Sequence, residues 1–338
     1  MPAVPPMSRT LDSSLSGRVA RPASTHPDGA PQELLLVRPR GFCAGVVRAI
    51  DMVERALAKY GPPVYVKHAI VHNRFVVQRL EHMGAVFVED LAEVPAGAIT
   101  IFSAHGVSPA VHASAAARGL DVLDATCPLV TKVHMEARRY ANEGSTIFLI
   151  GHRDHVEVEG TLGEAPDRTV VIENVEEAER VEVGDPSRVA FLTQTTLSID
   201  DTAGIVNVLQ RRFPALCRPR KEDICYATQN RQQAVKALAD RVDVILVIGS
   251  RTSSNSNRLV EVARAKGLPA YLVDSVEHVD PAWLRGARRV GITAGASAPE
   301  EIVQEMVEQL SRRFSASWRE LDIVEEHTTF PLPARLQD

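Results

Sequence analysis

Residues 39–50, PRGFCAGVVRAI, connect a short apolar run to a helical pattern, and the chain uses this junction three times. Similar junctions occur at residues 124–134, DATCPLVTKVH, and at residues 223–235, DICYATQNRQQAV. In each, one Cys follows a predicted strand and opens a predicted helix, where the positive end of the helix dipole favours a thiolate. The repetition predicts three similar α/β units with one Cys each, namely Cys43, Cys127 and Cys225.

Outward from these junctions, short apolar runs alternate with longer helical patterns. Apolar residues after the first Cys recur on one helical face, at Val46, Ile50, Val53 and Leu57. The predicted strands cover residues 34–37, 64–67, 86–89, 99–103, 121–123, 147–150, 170–173, 189–192, 244–248, 270–273 and 290–293. Continuous apolar strands alternating with helices are typical of parallel α/β sheets, in which ligands bind beyond the carboxyl ends of the strands.

Polar residues follow equivalent strands in each unit. The first such position lies 28 or 29 residues after the Cys and is occupied by His72, His155 and Ser254. A second position follows a later strand and is occupied by His105, Thr195 and Ser297. The spacing predicts that each unit contributes one Cys and two polar side chains to a common centre.

Three converging Cys have two chemical interpretations. Their separations of 84 and 98 residues fit neither a zinc knuckle nor a local ferredoxin run. They could bind zinc with an open fourth position, or an iron–sulfur cluster with one iron free of protein thiolate. Three thiolates make zinc a poor Lewis acid, which favours the cluster, although any single Cys could simply be a small buried residue. Cys217 lies among basic residues and is predicted to be a surface thiol.

The remaining polar residues suit an anionic ligand. His72, His105, Ser253, Ser254, Asn255 and Ser297 are neutral or cationic donors of the kind that bind a phosphate or diphosphate. For the serines alone, helix N-capping is the simpler interpretation. Glu157 follows an apolar strand in a Gly-bounded loop, where a closed site can tune a carboxyl group into a proton donor near neutral pH.

Composition limits the alternatives. The chain has 338 residues, a net charge of −5 and four Cys, so neither a nucleic-acid partner nor a disulfide scaffold is expected. No apolar run approaches the ~20 residues of a membrane span, and we expect a cytoplasmic protein without a membrane partner. The predicted organisation is a disordered extension over residues 1–31, α/β domains over residues 45–127, 128–224 and 32–44 plus 225–312, and a C-terminal strap over residues 313–338.

Taken together, these segments closely resemble the family of 4-hydroxy-3-methylbut-2-enyl diphosphate reductases. The match runs in order from about residue 33 to about residue 310 and also includes VHNRFVV, FSAHGVS, GH…EVEG, TQTTLS, SSNSNRL and TAGASAP. The resemblance implies three α/β domains in a pseudo-threefold cloverleaf around a central [4Fe–4S] cluster. It also implies an oxidoreductase of the non-mevalonate isoprenoid pathway, which removes the substrate hydroxyl reductively to give isopentenyl and dimethylallyl diphosphate.

The resemblance implies a role for each candidate residue. Cys43, Cys127 and Cys225 would ligate three irons of the cluster and leave the fourth iron open. Loss of that fourth iron would convert the [4Fe–4S] cluster to a [3Fe–4S] cluster. Glu157 would supply the proton, His155 would relay protons and Thr195 would orient the substrate hydroxyl. The substrate would be bound by His72, His105, His155, Thr195, Ser253, Ser254, Asn255 and Ser297. Two electrons would come from a ferredoxin or flavodoxin, and we expect a monomer.

One departure from the family pattern concerns the loop that carries Glu157. The family usually has Pro between the His and the Glu, whereas this chain has Val156. Because Pro would fix φ, we expect retained activity with a more mobile loop before substrate binds. The alternative functions from other classes are a three-Cys zinc hydrolase or lyase and a non-catalytic cluster-based regulator.

Overall fold

The computed structural model describes residues 30–337, so the predicted extension over residues 1–31 lies almost entirely outside the described residues. Within that range the chain forms three sheets in which all paired strands run parallel. The predicted α/β class with parallel sheets is therefore confirmed. None of the described helices is both long enough and apolar enough to cross a bilayer.

Twelve strands and ten α-helices make up the described part of the chain. The strands are β1 (Glu33–Arg38), β2 (Val64–Lys67), β3 (Ala85–Val88), β4 (Ile99–Phe102), β5 (Asp121–Asp124), β6 (Thr146–Ile150), β7 (Thr169–Ile172), β8 (Val189–Thr193), β9 (Val244–Ile248), β10 (Ala270–Val273), β11 (Arg289–Ala294) and β12 (Ser317–Asp322). The helices are α1 (Ala44–Tyr60), α2 (Arg74–His82), α3 (Pro109–Ala117), α4 (Pro128–Asn142), α5 (Val156–Leu162), α6 (Val175–Arg180), α7 (Ile199–Arg212), α8 (Tyr226–Ala239), α9 (Ser254–Ala265) and α10 (Glu300–Phe314). Each of the eleven predicted strands overlaps an observed one.

The three sheets share one core arrangement. Their strand orders are β3-β2-β4-β5, β7-β6-β8 and β10-β9-β11-β1-β12. In the first and third, the strand that precedes a Cys (β5 or β1) pairs with the strand that precedes the second polar position (β4 or β11). The second sheet has only a single bridge at this place, between Ala190 of β8 and Cys217. Cys225 is therefore preceded by an isolated bridge, and the predicted strand is absent there.

Each Cys junction carries the chain from one sheet to the next. After β1 of the five-stranded sheet, α1 packs its apolar face on Val64 and Val66 of the four-stranded sheet. Helix α4 follows β5 and packs on Ile147 and Leu149 of the three-stranded sheet. Helix α8 then returns to the five-stranded sheet, where it packs on Leu35. The predicted face of α1 is buried, and this burial fixes where each helix begins relative to its sheet.

The C-terminal segment differs from the predicted surface strap in its first part. Residues 317–322 form β12, which pairs in parallel with β1 at the edge of the five-stranded sheet. The sequence SWRELD gave no strand signal because most of its side chains are exposed and polar, as is usual at an edge. The chain then reaches the first domain, where Leu336 is buried against α1 and its carbonyl oxygen accepts a hydrogen bond from Arg55. The exact domain boundaries stay a prediction.

Candidate active site

A cavity of about 100 Å³ lies where the carboxyl ends of strands from all three sheets meet. One water needs only about 10–15 Å³ of such space, so the cavity is far larger than a site for a single ion. All twelve residues predicted from the sequence line it: Cys43, Cys127, Cys225, His72, His105, His155, Glu157, Thr195, Ser253, Ser254, Asn255 and Ser297. The predicted common centre therefore exists, while the individual roles stay predictions.

Each of the three Cys is the N-cap residue of a helix, and none of their side chains is used for capping. Gly45 shows how close two of the sulfurs are. A Cβ atom at Gly45 would lie 2.7 Å from the Cys127 Sγ and 3.9 Å from the Cys43 Sγ. The Sγ of Cys225 lies 3.2 Å from the Thr228 Oγ1. Because Gly45 has no side chain, the sulfurs can occupy this space. Any other residue at position 45 would place its Cβ atom there.

Burial decides the protonation of two of these thiols. Burial, with a smaller contribution from the neighbouring sulfurs, raises the pKa of Cys127 to about 12 and that of Cys225 to about 11. The helix N-terminus alone therefore does not make these two residues thiolates. The backbone N–H groups do lower the pKa, but burial has the larger effect. Thiolates here need a compensating positive charge, which fits a metal group that displaces the protons on binding.

The three thiols of the cavity are a donor set that suits an iron–sulfur group. Among residues 30–337, no three His, Cys, Asp or Glu side chains are close enough together to hold one ion. The three thiols instead line the wall of a larger space, one at the start of each of three helices. Sulfur ligands around such a space are the donor set of iron–sulfur clusters.

Three histidine rings form one wall of the cavity. The ring centroid of His72 lies 4.1 Å from that of His105 and 5.2 Å from that of His155. Burial lowers the pKa of His72 to about 4 and that of His155 to about 3, and that of His105 falls well below its usual value, with further lowering from neighbouring His residues in each case. All three rings are neutral donors at pH 7, and the Nε2 of His72 is buried with no partner among the described residues.

The hydrogen bonds of His155 define its tautomer. Its Nδ1 accepts a hydrogen bond of 3.2 Å from the backbone N–H of Glu157 and so caps helix α5. The neutral ring therefore carries its hydrogen on Nε2, which is free to donate to a ligand. His105 is oriented by a contact of 3.2 Å between its Nδ1 and the Ser103 Oγ.

Glu157 and Thr195 form a closed pair. Glu157 is 4% exposed, and its two carboxyl oxygens accept hydrogen bonds from the Thr195 backbone N–H at 2.6 Å and from its Oγ1 at 3.0 Å. Burial raises the pKa of Glu157 to about 7, although the Thr195 hydrogen bonds oppose the shift. A carboxyl group with this pKa is protonated about half the time at neutral pH, as a proton donor must be.

The start of helix α9 supplies the third wall. Ser253 is its N-cap, with its Oγ accepting from the Ser256 N–H at 3.3 Å, so the simpler N-capping interpretation is correct for this residue. Ser254 accepts a hydrogen bond of 2.9 Å from the Thr196 Oγ1. The Asn255 Oδ1 accepts one of 2.9 Å from the Ala296 N–H, which holds the loop that carries Ser297. This wall can therefore present backbone N–H groups and hydroxyls to an anion.

The sequence analysis missed several residues that line or support the cavity. Thr228 and Thr196 line it, and each had a signal, because Thr228 follows Cys225 by three residues of a helix and Thr196 follows Thr195 directly. The buried His134 has its Nδ1 2.9 Å from the Glu164 Oε1. Its ring is within 3.4 Å of where Cβ atoms would stand on Gly106 and Gly160, which only tertiary structure could show.

Replacing Val156 with Pro is expected to leave turnover unchanged and to raise the free energy of unfolding by about 0.4–1 kcal/mol. Val156 is the first residue of α5, a position that suits Pro, and His155 already has the extended backbone (φ −92°, ψ 131°) that a following Pro requires. Denaturant unfolding of Val156→Pro measures the change. A lower free energy of unfolding would contradict this reasoning. Greater mobility of the loop with Val156 stays a prediction.

Comparison with known proteins identifies the family. The sequence matches the family described as LytB protein over residues 34–311. The chain is 57% identical to the 4-hydroxy-3-methylbut-2-enyl diphosphate reductase of Aromatoleum aromaticum over 306 residues, which cover 90% of this chain and 98% of that protein. The enzyme of the same name from Ralstonia nicotianae is 57% identical over 309 residues, covering 91% and 95%.

Two solved structures support the same family assignment. The E-1-hydroxy-2-methyl-but-2-enyl-4-diphosphate reductase of Plasmodium falciparum superimposes with a TM-score of 0.88 and 41% identity, covering 90% of this chain and 97% of that chain. A second structure, of (E)-4-hydroxy-3-methyl-but-2-enyl diphosphate reductase, gives a TM-score of 0.60 and 32% identity, covering 83% and 99%. Because both sequence and fold match over nearly the whole described chain, the protein belongs to the LytB family.

Proposed function

We propose that the protein reduces 4-hydroxy-3-methylbut-2-enyl diphosphate to isopentenyl diphosphate and dimethylallyl diphosphate. The observation that carries the proposal is the meeting of three Cys, neutral hydrogen-bond donors and a Glu with a pKa of about 7 in one cavity. The names of the relatives support the same substrate. They give no support to a zinc hydrolase or to a non-catalytic regulator. We include in the proposal a monomer located in the cytoplasm.

The diphosphate end of the substrate is held by the neutral donors. His72 and His155 can each donate from a free Nε2, and Ser297 lies beside them because its Oγ donates to the His72 carbonyl oxygen at 3.1 Å. The α9 N-terminus adds Ser254 and Asn255 from the other side. A ring of fixed donors from three domains binds the charged end of the substrate and excludes water from the reacting end.

The hydroxyl end of the substrate lies near the pair of Glu157 and Thr195. The Thr195 Oγ1 already donates to Glu157, so a substrate hydroxyl can join the same hydrogen-bond chain. Glu157 then gives its proton within that chain, and burial raises its pKa to about 7, so that about half of the molecules carry this proton at neutral pH. The proposal keeps His155 as a residue that relays protons, because its ring lines the same cavity as Glu157.

Cys43, Cys127 and Cys225 would hold the metal group. When bound there, a [4Fe–4S] cluster with one iron free of protein thiolate supplies electrons and a Lewis-acidic iron for the hydroxyl oxygen. The overall reaction takes two electrons and two protons, and the hydroxyl group leaves as water. The electrons would come one at a time from a ferredoxin or flavodoxin.

The test is anaerobic iron and sulfide analysis, followed by turnover of the diphosphate substrate with dithionite as reductant. We expect a brown protein that contains both iron and sulfide and forms both isoprenoid products. A colourless protein that binds zinc stoichiometrically, and that hydrolyses the substrate without a reductant, would refute the proposal. A protein that contains the cluster but gives no product with dithionite would also refute it.

Binding of the diphosphate is expected to take up protons. At pH 7 His72 and His155 are neutral because burial lowers their pKa to about 4 and about 3, and an adjacent anion raises both values again. Affinity should therefore increase as the pH falls below neutrality, by up to about tenfold per pH unit for each proton taken up.

Calorimetry with inorganic diphosphate in two buffers of different ionisation enthalpy measures this uptake. His72→Gln should reduce it, whereas the control His82→Gln, an exposed residue on α2, should not. Heats that do not depend on the buffer would contradict the prediction.

A further inference from the structure

The loop at residues 218–221, Arg-Pro-Arg-Lys, is the most concentrated group of unpaired cations near the active site. Arg218, Arg220 and Lys221 are exposed, and no hydrogen bond or ion pair of their side chains is found among residues 30–337. Most other Arg side chains of this acidic protein are engaged, such as Arg153 with Glu173 and Glu177. Three adjacent free cations in a chain of net charge −5 call for an explanation.

The loop is held against two of the three Cys helices. The Lys132 Nζ, on α4, donates to the carbonyl oxygens of Lys221 and Glu222 and to the Asp223 Oδ1 at 2.8 Å. Asp223 in turn accepts a hydrogen bond of 3.0 Å from the Thr193 N–H at the end of β8. Cys127 is the N-cap of α4, and Cys225 follows Asp223 by two residues, so the basic loop is tied to the two segments that carry these sulfurs.

A groove beside the loop adds apolar contact area. It measures about 470 Å³ and is lined by Arg48, Asp124, Thr126, Pro128, Thr131, Lys132, Met135 and Glu136. Met135 is 59% exposed, and Val47, next to Arg48 in the chain, is 43% exposed. Glu136 pairs with Arg139 and Asp124 accepts from Thr126. The exposed Glu222, next to Lys221, leaves the three cations of the loop in excess. The result is an apolar centre with a basic rim.

We propose that this basic face, defined as Arg48, Lys132, Arg218, Arg220 and Lys221 around Val47 and Met135, docks an acidic one-electron carrier protein. The inference rests on the proposed function, which needs two electrons from outside the chain. Each docked carrier gives up one electron and is itself oxidised, so two encounters supply one turnover. Lys132 on α4 holds the basic loop and Asp223, two residues before Cys225, so the face lies on the side of the helices that begin at Cys127 and Cys225.

The positive charge of the basic face indicates an acidic partner. Complexes of electron carriers are small and transient, and complementary charges raise their rate of association. With an overall charge of −5 the chain as a whole does not attract an acidic carrier, so the attraction has to come from a local group of cations. A local basic face therefore both attracts the carrier and orients it towards the Cys residues.

The test compares two triple variants of the cluster-loaded enzyme. Arg218→Glu/Arg220→Glu/Lys221→Glu reverses the basic loop. The control, Arg241→Glu/Lys266→Glu/Arg285→Glu, makes the same charge change at exposed residues before β9, β10 and β11, at the ends of the strands away from the cavity. Turnover of each variant is measured with reduced flavodoxin and, separately, with dithionite as the reductant. Binding of oxidised flavodoxin is measured by NMR titration.

We expect the loop variant to lose on the order of 10-fold in kcat/KM for flavodoxin at low salt, and less at high salt, with weaker flavodoxin binding. Its turnover with dithionite should be unchanged, and the control should behave like the unaltered enzyme. Unchanged flavodoxin kinetics and binding in the loop variant, or an equal loss in the control, would overturn the proposal. If the unaltered enzyme fails with dithionite, the proposed function is wrong, and the flavodoxin titration still tests the surface.

Discussion

Replacing Cys43, Cys127 or Cys225 with Ser is expected to remove bound iron and sulfide and to lower turnover by more than about 100-fold. Loss of a residue that merely supports a metal ligand costs roughly 10–100-fold, so loss of a ligand should cost more. The three residues lie at three different helix starts around one cavity, and no other described Cys lines that cavity. Iron and sulfide analysis after anaerobic reconstitution measures the first effect, and turnover with dithionite measures the second.

Cys217→Ser is the matched control. This thiol is exposed and lies on the bridge to β8, away from the cavity, so its replacement should change neither iron content nor turnover. Retention of a full complement of iron in any of the three cavity variants would mean that the corresponding Cys is not a ligand. Loss of iron in Cys217→Ser would mean that the ligand assignment is wrong.

Replacing Glu157 with Gln is expected to lower turnover by about 10²–10⁴-fold while substrate binding is retained, because the amide cannot supply the proton. In the unaltered enzyme Glu157 acts in its protonated form, and its pKa is about 7. Turnover should therefore be constant at low pH and fall as the pH rises above about 7. A pH profile of turnover under saturating substrate measures this fall above pH 7. A fully active Glu157→Gln variant would exclude Glu157 as the proton donor.

Glu157→Gln should also change the stability of the protein, and the direction of this change depends on the pH. Burial raises the pKa of Glu157 from 4.5 to about 7. The protonated side chain therefore makes its full contribution to the free energy of unfolding below pH 4.5, and this contribution is lost as the pH rises through 7. Above that pH the buried carboxylate costs about 3 kcal/mol, which Gln does not. Glu157→Gln should thus be more stable than the unaltered protein at pH 8 but not at pH 4. Lower stability at pH 8 would show that inactivity reflects misfolding.

The parts of the fold that depend on local pattern could be predicted from the sequence. The apolar runs that became β2, β6 and β9 are short, continuous and bounded by polar residues, which is the signature of buried parallel strands. Because parallel sheets bind ligands at their carboxyl edges, the residues after those strands were recognisable as candidates. His72, His155 and Ser254 all line the cavity as expected.

What depends on tertiary surroundings could not be predicted. The edge strand β12 has the polar composition of a loop, and only its pairing with β1 makes it a strand. The protonation of Cys127 depends on burial, which outweighs the local dipole on which the sequence argument relied. Gly45 appeared as an ordinary helical Gly until the Cys127 sulfur was found to occupy the place of its missing side chain.

The position of the Cys residues at the crossings between sheets has a consequence for biosynthesis. A ribosome makes Cys43 early, but the third sulfur emerges only after residue 225, when the first two sheets can already have formed. Strand β1 must meanwhile wait for β9, β11 and β12 to complete its sheet. The proposed metal site therefore cannot be assembled by any one domain during translation. A cofactor-loading system would meet a nearly finished chain, and truncated products that end before residue 225 would carry at most two of the three sulfurs.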